Sequence, residues 1–372
     1  MVKGSAHNIP YVDLGAQAED QLSDLMPILE QVLLKGQFVG GNAVAEFEQQ
    51  ISDYLGCAQA VALNSGTDAL ILAMQVAGIG PGDEVITPPN SFVASTAAIV
   101  MVGAQPVFVD VLPDQNIDPE RIEAAITPRT KAIMPVHLTG RVCRMDVITD
   151  IAERHGLIVV EDAAQAIGSL YQGRQSGTFG RFGCFSAHPL KNLNALGDSG
   201  FLATDDVEAA ALVRRLRNHG LSDRGTVNEW GRVSRMDTLH AVVLNYRLKM
   251  LPDVIQKRRS NAVLYREILV DERVFIPPCR DEEFNTFHTF VIQVDRRNEL
   301  QDYLRTRGIR TAIHYPVPIH LQPAARTLGH GPGDFPVTER QAQRILTLPI
   351  NQQTLAEDIE TVAGEILSFL DG

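Results

Sequence analysis

Between residues 60 and 205, short apolar runs alternate with stretches whose apolar side chains recur every three or four positions. AVALNS (60–65) reads as a buried strand and GTDALILAMQVAG (66–78) as the helix after it. DEVITPP (83–89), followed by a helix starting near Ser91, repeats the unit. PVFVDV (106–111) precedes DPERIEAAI (118–126), where Asp118 and Pro119 read as an N-cap and a first-turn proline. KAIMPVH, the helix MDVITDIAERHG and the strand LIVVED complete the series. Such alternation predicts an α/β fold, a mainly parallel sheet covered by helices on both faces. Ligands in these sheets bind beyond the carboxyl ends of the strands. Three of the ends carry polar clusters: NSGTD at 64–68, PVHLTGR at 135–141 and EDAAQA at 161–166.

After residue 205 the pattern changes. Helical stretches dominate from Asp206 to about Glu272, including DTLHAVVLNYRLKML. NTFHTFVIQV then reads as a strand, NELQDYLRTRG as a helix capped by Asn298, and IRTAIHYPV as another strand. The shift predicts a large domain over 1–245, its N-terminal segment partly packing on a small α+β domain over 246–372.

Composition narrows the partners. Thirty-three Lys and Arg stand against 45 Asp and Glu, a formal charge of −12, so no broad basic field exists to neutralise nucleic-acid phosphates. No run approaches the length of a membrane-spanning helix, and MVKGSAHNIPYVDLG lacks the apolar core of a signal peptide. Cys57, Cys143, Cys184 and Cys279 are scattered without CxxC or zinc spacing, which points to a reduced cytoplasmic protein with no metal site.

Three groups of residues could carry chemistry. Asp162 ends LIVVED; such a carboxylate commonly caps the next helix or forms half of an ion pair. Alternatively it holds a ring nitrogen protonated, as a pyridoxal phosphate site requires. The backbone N–H groups of NSGTD suit a phosphate, although many strand–helix turns contain Gly, Ser and Thr. Phe92, at a later junction, fits core packing as well as a ligand wall. Ser186 and Lys191 lie in FSAHPLKNLNALGDSG. A lysine in a Gly-flanked loop is ordinarily solvated, but desolvation would make it a nucleophile fit for Schiff-base formation with an aldehyde cofactor. Spacing alone does not decide. No GxGxxG turn follows the first strand, which argues against a dehydrogenase.

Taken in order, seven segments resemble the DegT/DnrJ/EryC1/StrS family of pyridoxal-phosphate-dependent sugar aminotransferases. They are FVGGNAVAEFEQQISDYLG, ALNSGTDALILAMQVAGIGPGDEVITPPNSFVAST, VVEDAAQAIGS, FSAHPLKNLNALGDSG, LRNHGL, SRMDTLHA and IHYPVPIHLQPA, and together they extend over nearly the whole chain. The resemblance implies a fold-type-I transferase. It puts Lys191 in the place of the lysine that bonds the cofactor aldehyde and moves the proton between substrate carbon and cofactor. By the same likeness Asp162 faces the pyridine nitrogen, Gln165 lies near the 3′ oxygen and Phe92 stacks on the ring. Ser186 and the turn Gly66–Thr67–Asp68 hold the phosphate. The implied reaction moves an amino group from glutamate or glutamine to a 3- or 4-keto-6-deoxy sugar linked to a nucleotide, for aminosugars of a surface polysaccharide or a glycosylated metabolite. The implied assembly is a cytoplasmic homodimer with shared sites.

The sequence departs from the family in places. Tyr-Asn-Ser-Arg commonly precedes its Met-Asp pair, and that asparagine reaches the neighbouring subunit's phosphate; GRVSRMD has Arg232 and Val233 there. Asn228, Arg232 or Arg235 is left to substitute, or the phosphate has one partner fewer. HLYG is replaced by HLTGR, with Thr139 and Arg141, either a neutral loop variation or a pocket in which Arg141 meets a carboxylate or pyrophosphate. Ile167 and Ser199 also differ, and neither removes a group the chemistry needs. His188, His314, Tyr315 and His320 are candidates for touching substrate, against ordinary structural roles. Two rival readings share the cofactor residues: a keto-inositol (aminocyclitol) aminotransferase and a non-catalytic pyridoxal-phosphate-binding regulator.

Overall fold

The expected strand–helix series is present in the computed structural model, which describes residues 8–372; the first seven residues, part of the segment read above for a signal peptide, lie outside the described residues. Two helices come first, α1 (Leu14–Lys35) and α2 (Asn42–Leu55). Then follow β1 (Gln59–Leu63), α3 (Gly66–Val76), β2 (Glu84–Thr87), α4 (Val93–Met101), β3 (Gln105–Phe108), β4 (Thr130–Ile133), α5 (Met145–His155) and β5 (Ile158–Asp162). A short hairpin, β6 (Leu170–Tyr171) and β7 (Arg174–Gln175), leads to β8 (Phe182–Ser186), β9 (Gly200–Thr204) and α6 (Val207–Leu216). Seven strands form one sheet in the order β1-β9-β8-β5-β4-β2-β3. Only β9 runs against the rest, pairing antiparallel with both β1 and β8. The other carboxyl ends therefore open on one edge.

Apolar residues on both sides of each strand explain why the sheet is covered twice. On one face Leu70, Ile71 and Met74 of α3 and Val213 of α6 pack on Val61, Val160 and Leu202. On the other, Phe47 and Ile51 of α2 meet Phe185 and Phe201, whose rings stack at 4.7 Å between centroids. Each such buried side chain contributes roughly 1.5–3 kcal/mol.

A single helix, α7 (Thr238–Ile268), runs through the boundary expected at 245/246. The remaining elements are β10 (Val274–Phe275), β11 (Glu283–Phe284), β12 (Phe290–Val294), α8 (Arg297–Thr306), α9 (Pro336–Arg344), β13 (Ile345–Leu348) and α10 (Ala356–Asp371). A three-stranded sheet β10-β12-β13 carries its own core, with Tyr265, Leu300, Leu304 and Ile359 around Phe290 and Ile292. Strand β11 instead joins β6 and β7.

Four local expectations are corrected. DPERIEAAI forms two single 3₁₀ turns, Pro119–Arg121 and Glu123–Ala125. Asp118 does accept from Glu120 N–H at 3.1 Å, but the chain turns extended at Ile126, two residues before Pro128, and the helix does not continue. Asn298 lies inside α8; the cap is Arg296, with φ of 56°, and the Asn298 oxygen accepts from Arg297 instead. IRTAIHYPV makes only single bridges, Ile309 to Ile9 and Ala312 to Thr347. Pro316 within it and Pro318 just after it cannot donate to a ladder. Residues 217–237 are irregular rather than helical, in a stretch holding Gly220, Gly225 and Gly231.

Glu161 ties the sheet to the β7–β8 turn. It is fully buried, with His137 Nε2 at 2.8 Å and the N–H groups of Gly177 and Gly180 at 2.7 and 2.6 Å. Cys143 N–H donates to His137 Nδ1, so Nε2 is the atom left to donate to Glu161. Replacing Glu161 by alanine leaves three donors without an acceptor, those of His137 and Gly177 fully buried and that of Gly180 partly so. We expect Glu161→Ala to lower unfolding stability by about 3–5 kcal/mol, measured by chemical denaturation. A loss under about 1 kcal/mol would contradict this account of the turn.

Candidate active site

At the edge where the parallel strands end, a cavity of ≈ 280 Å³ is lined by residues from five strand ends and from the C-terminal part of the chain. Strand β1 delivers Ser65, Gly66 and Thr67. The sequence NSG suits this turn: Ser65 is extended and its hydroxyl accepts from Asp68 N–H at 3.1 Å, capping α3. The N–H groups of Gly66 and Thr67 have no intrahelical acceptor and stand at the positive end of the helix. Ser186, at the end of β8, lies against this turn; a Cβ on Gly66 would come within 2.9 Å of the Ser186 Cβ. From the opposite side, a Cβ on Gly200 would come within 2.4 Å of Gly66 N. Three backbones thus meet around one helix N-terminus, a setting that fits a phosphate.

Asp162 closes β5 and is buried. One carboxylate oxygen accepts from Ser95 Oγ at 2.6 Å and the other from Ala164 N–H at 3.1 Å. The free lone pairs face the same cavity, so a ring N–H fits there. Gln165 is held by Thr139 N–H at 2.9 Å to its Oε1, and its amide reaches the Tyr315 hydroxyl. Phe92 is 54% exposed at the cavity, N-terminal to α4, with its ring 5.8 Å from that of Tyr315. Core packing, the plainer expectation for Phe92, does not apply.

Lys191 stands half-buried in the cavity wall. Burial of its ammonium lowers its pKa to about 8, against an opposing attraction from Asp162. Burial dominates, because the value ends well below that of a free lysine. His188 and His314 share this wall. Burial also lowers both, His314 to about 4, with repulsion from Lys191 adding to it, while Asp198 partly offsets the fall at His188. His188 Nδ1 accepts from Leu190 N–H at 3.3 Å, and His314 Nδ1 lies 3.0 Å from Thr347 Oγ1.

Among the sequence-predicted residues, then, Gly66, Thr67, Phe92, Asp162, Gln165, Ser186, His188, Lys191, His314 and Tyr315 line one cavity. Four others do not. Arg141 is a buried structural cation: it pairs with Glu283 at 3.0 Å and Asp114 at 3.6 Å, and donates to Pro278 O at 2.7 Å. A substrate carboxylate would have to displace two carboxylates already there. His320 is buried beside Phe335, 3.1 Å from Glu339. Asp68 turns its carboxylate out of the cavity toward Arg232 at 3.6 Å. Asn228 is exposed in the 217–237 segment, away from this chain's own cavity, as is Val233.

Sequence reasoning missed Ser95, which orients Asp162, and His288, which lines the cavity beside His314. The one signal for His288 was the polar pair His288–Thr289 interrupting an apolar run.

The model of the DegT/DnrJ/EryC1/StrS aminotransferase family matches residues 20–367. The chain is 39% identical over 97% of its length to a pleiotropic regulatory protein of Geobacillus stearothermophilus, 98% of which is covered. It is 40% identical to the UDP-N-acetyl-3-dehydro-alpha-D-glucosamine 3-aminotransferase of Acidithiobacillus ferrooxidans, with 98% of each chain covered. In three dimensions it is similar to S. venezuelae DesV, solved in complex with a ketimine intermediate. There the TM-score is 0.95 at 37% identity, over 98% of this chain and 99% of that one.

Two outcomes test the geometry. With the cofactor stripped, an amine-reactive acylating reagent should modify Lys191 with a pH midpoint near 8, because the neutral amine is the nucleophile. Asp162→Asn removes the charge that favours the ammonium and should move that midpoint lower; mass spectrometry of the labelled peptide reads both. Gly200→Ala should weaken pyridoxal phosphate binding at least about tenfold, roughly 1.4 kcal/mol, in a fluorescence titration. Unchanged affinity would mean that the close approach to Gly66 does not shape the site.

Proposed function

Because the chain belongs to the DegT/DnrJ/EryC1/StrS aminotransferase family, we propose that it transfers an amino group from glutamate to a 3- or 4-keto carbon of a nucleotide-linked sugar. It is a transaminase of the pyridoxal-phosphate-dependent kind. The observation that carries the reading is the pairing, in one cavity, of a lysine with lowered proton affinity and a buried carboxylate beside a helix N-terminus.

Pyridoxal 5′-phosphate, when bound, supplies an aldehyde that takes up amino groups and a ring that withdraws electrons from the carbon being deprotonated. The protein's part is positioning and proton transfer. Gly66 and Thr67 N–H and the Ser186 hydroxyl hold the phosphate dianion, so a chain of net charge −12 needs no basic patch. Asp162, fixed by Ser95, keeps a proton on the ring nitrogen. Phe92 covers the ring and excludes water from that side. Gln165 donates toward the ring oxygen while Thr139 N–H fixes its other end. Near neutral pH the Lys191 amine is partly unprotonated, so its Nζ would hold the cofactor through the aldehyde carbon, with the aldehyde oxygen leaving as water, and once displaced by the incoming amine it would accept and return the substrate proton. His188, His314 and Tyr315 form the wall that a sugar would face.

A keto sugar bearing a nucleotide is favoured over a keto-inositol by the Acidithiobacillus relative, which is named for a UDP-linked 3-keto sugar and matches along its length. The regulatory name of the Geobacillus relative gives a second reading. A protein that only binds the cofactor has no use for a lysine held near pH 8 opposite Asp162.

The decisive assay incubates the purified protein with glutamate and a panel of nucleotide-linked 3- and 4-keto sugars and keto-inositols, reading 2-oxoglutarate and the amino product by mass spectrometry. We expect product from a nucleotide-linked ketone only. Lys191→Ala should lower turnover by at least about a thousandfold, on the order of 4 kcal/mol. Turnover with keto-inositol alone, or activity surviving Lys191→Ala, would overturn the proposal.

A further inference from the structure

Within the cavity wall, Ser199 is 1% exposed and its Oγ has no hydrogen-bond partner among the described residues. A buried hydroxyl left unpaired carries an uncompensated desolvation cost, and in a native protein it calls for an explanation. The position of Ser199 supplies one. Its carbonyl accepts from Ala187 N–H at 2.8 Å, next to Ser186. Its neighbour Gly200 stands opposite Ser186 in the β8–β9 register and packs against Ser65 and Gly66. Ser199 is therefore built into the same knot of backbone as the Ser186 hydroxyl and the start of α3. The neighbouring hydroxyls are engaged: Ser65 Oγ with Asp68 N–H and Asn64, and Ser186 Oγ as acceptor for His188 N–H at 3.3 Å. Among these hydroxyls Ser199 is the one that is buried and unengaged on the cavity.

Resting on the aminotransferase reading above, we propose that the Ser199 hydroxyl is a further donor to the cofactor's phosphate, a hydrogen bond made only when that anion is present. The site then draws on hydroxyls from both antiparallel strands, Ser186 at the end of β8 and Ser199 immediately before β9, in addition to the two N–H groups of α3. A hydroxyl suits the place better than a cation, because the helix N-terminus already supplies positive potential. It also adds one donor in cis at a cofactor site where Val233 offers none.

The test compares pyridoxal phosphate with pyridoxal, which lacks the phosphate, binding to the cofactor-stripped protein and to Ser199→Ala. Alanine fits the space of serine, so the stripped variant should melt at or slightly above the wild-type temperature. Hydrogen bonds to charged groups predict a loss of about tenfold or more in affinity for pyridoxal phosphate. Pyridoxal should bind both proteins equally. Inorganic phosphate should raise the melting temperature of the wild type more than that of Ser199→Ala. Equal affinity of the two proteins for pyridoxal phosphate would overturn the proposal. So would an equal loss for both ligands, which would mark a packing effect. A wild type that bound pyridoxal phosphate no more tightly than pyridoxal would overturn the cofactor reading itself, and Ser199's role with it.

Discussion

A carboxylate taken out of water must be given partners, and the placement of Asp162 governs much of what surrounds it. Its two oxygens are met by Ser95 in the first turn of α4 and by Ala164 in the turn after β5. Those contacts bring α4, which carries Phe92 at its start, into line with the central strand. The same charge acts on Lys191. Desolvation alone would push the amine further from protonation, and Asp162 restrains it so that the value settles at about 8. Asp162 thus helps to position Phe92 and limits, without reversing, the loss of proton affinity that burial imposes on Lys191.

The second constraint is the approach of backbones at the start of α3. A parallel sheet opens all its carboxyl ends on one edge, but β9 reverses and brings Gly200 back against Gly66. No side chain fits there, and the absence of one leaves the helix dipole bare toward the cavity. Electrostatics are arranged consistently: the acid in the first turn of α3, Asp68, is turned outward and partly neutralised by Arg232. An acidic protein can in this way hold a phosphate through amides and hydroxyls.

How much of this was legible beforehand varies by element. The run from β1 to β5 was readable because each strand is apolar on both faces and the helices between them keep their own period, with a Ser65 cap at the first. The 118–126 segment failed because Pro128 lay just beyond the pattern that was read. Residues 309–317 looked like a strand in composition, yet prolines and two isolated bridges in place of a ladder decided otherwise. In the site, Lys191, Asp162 and the NSG turn each carried an ordinary alternative that spacing could not remove. Arg141 shows the converse: its sequence context suggested a ligand, and only the positions of Glu283 and Asp114, far along the chain, reveal a buried ion cluster.

The amino-acid sequence by itself determined the alternation of strands and helices, the small residues at the strand ends and the presence of one lysine among weakly charged neighbours. These are properties of local propensity and of periodic burial, which act over a few residues. Tertiary structure decided which of the polar residues converge, that Phe92 faces a cavity, that His320 and Arg141 do not, and that Ser199 is left unpaired. Those outcomes depend on contacts between residues tens to hundreds of positions apart. Desolvation, the quantity that lowers the proton affinity of Lys191 below that of a surface lysine, exists only once those distant segments close around it.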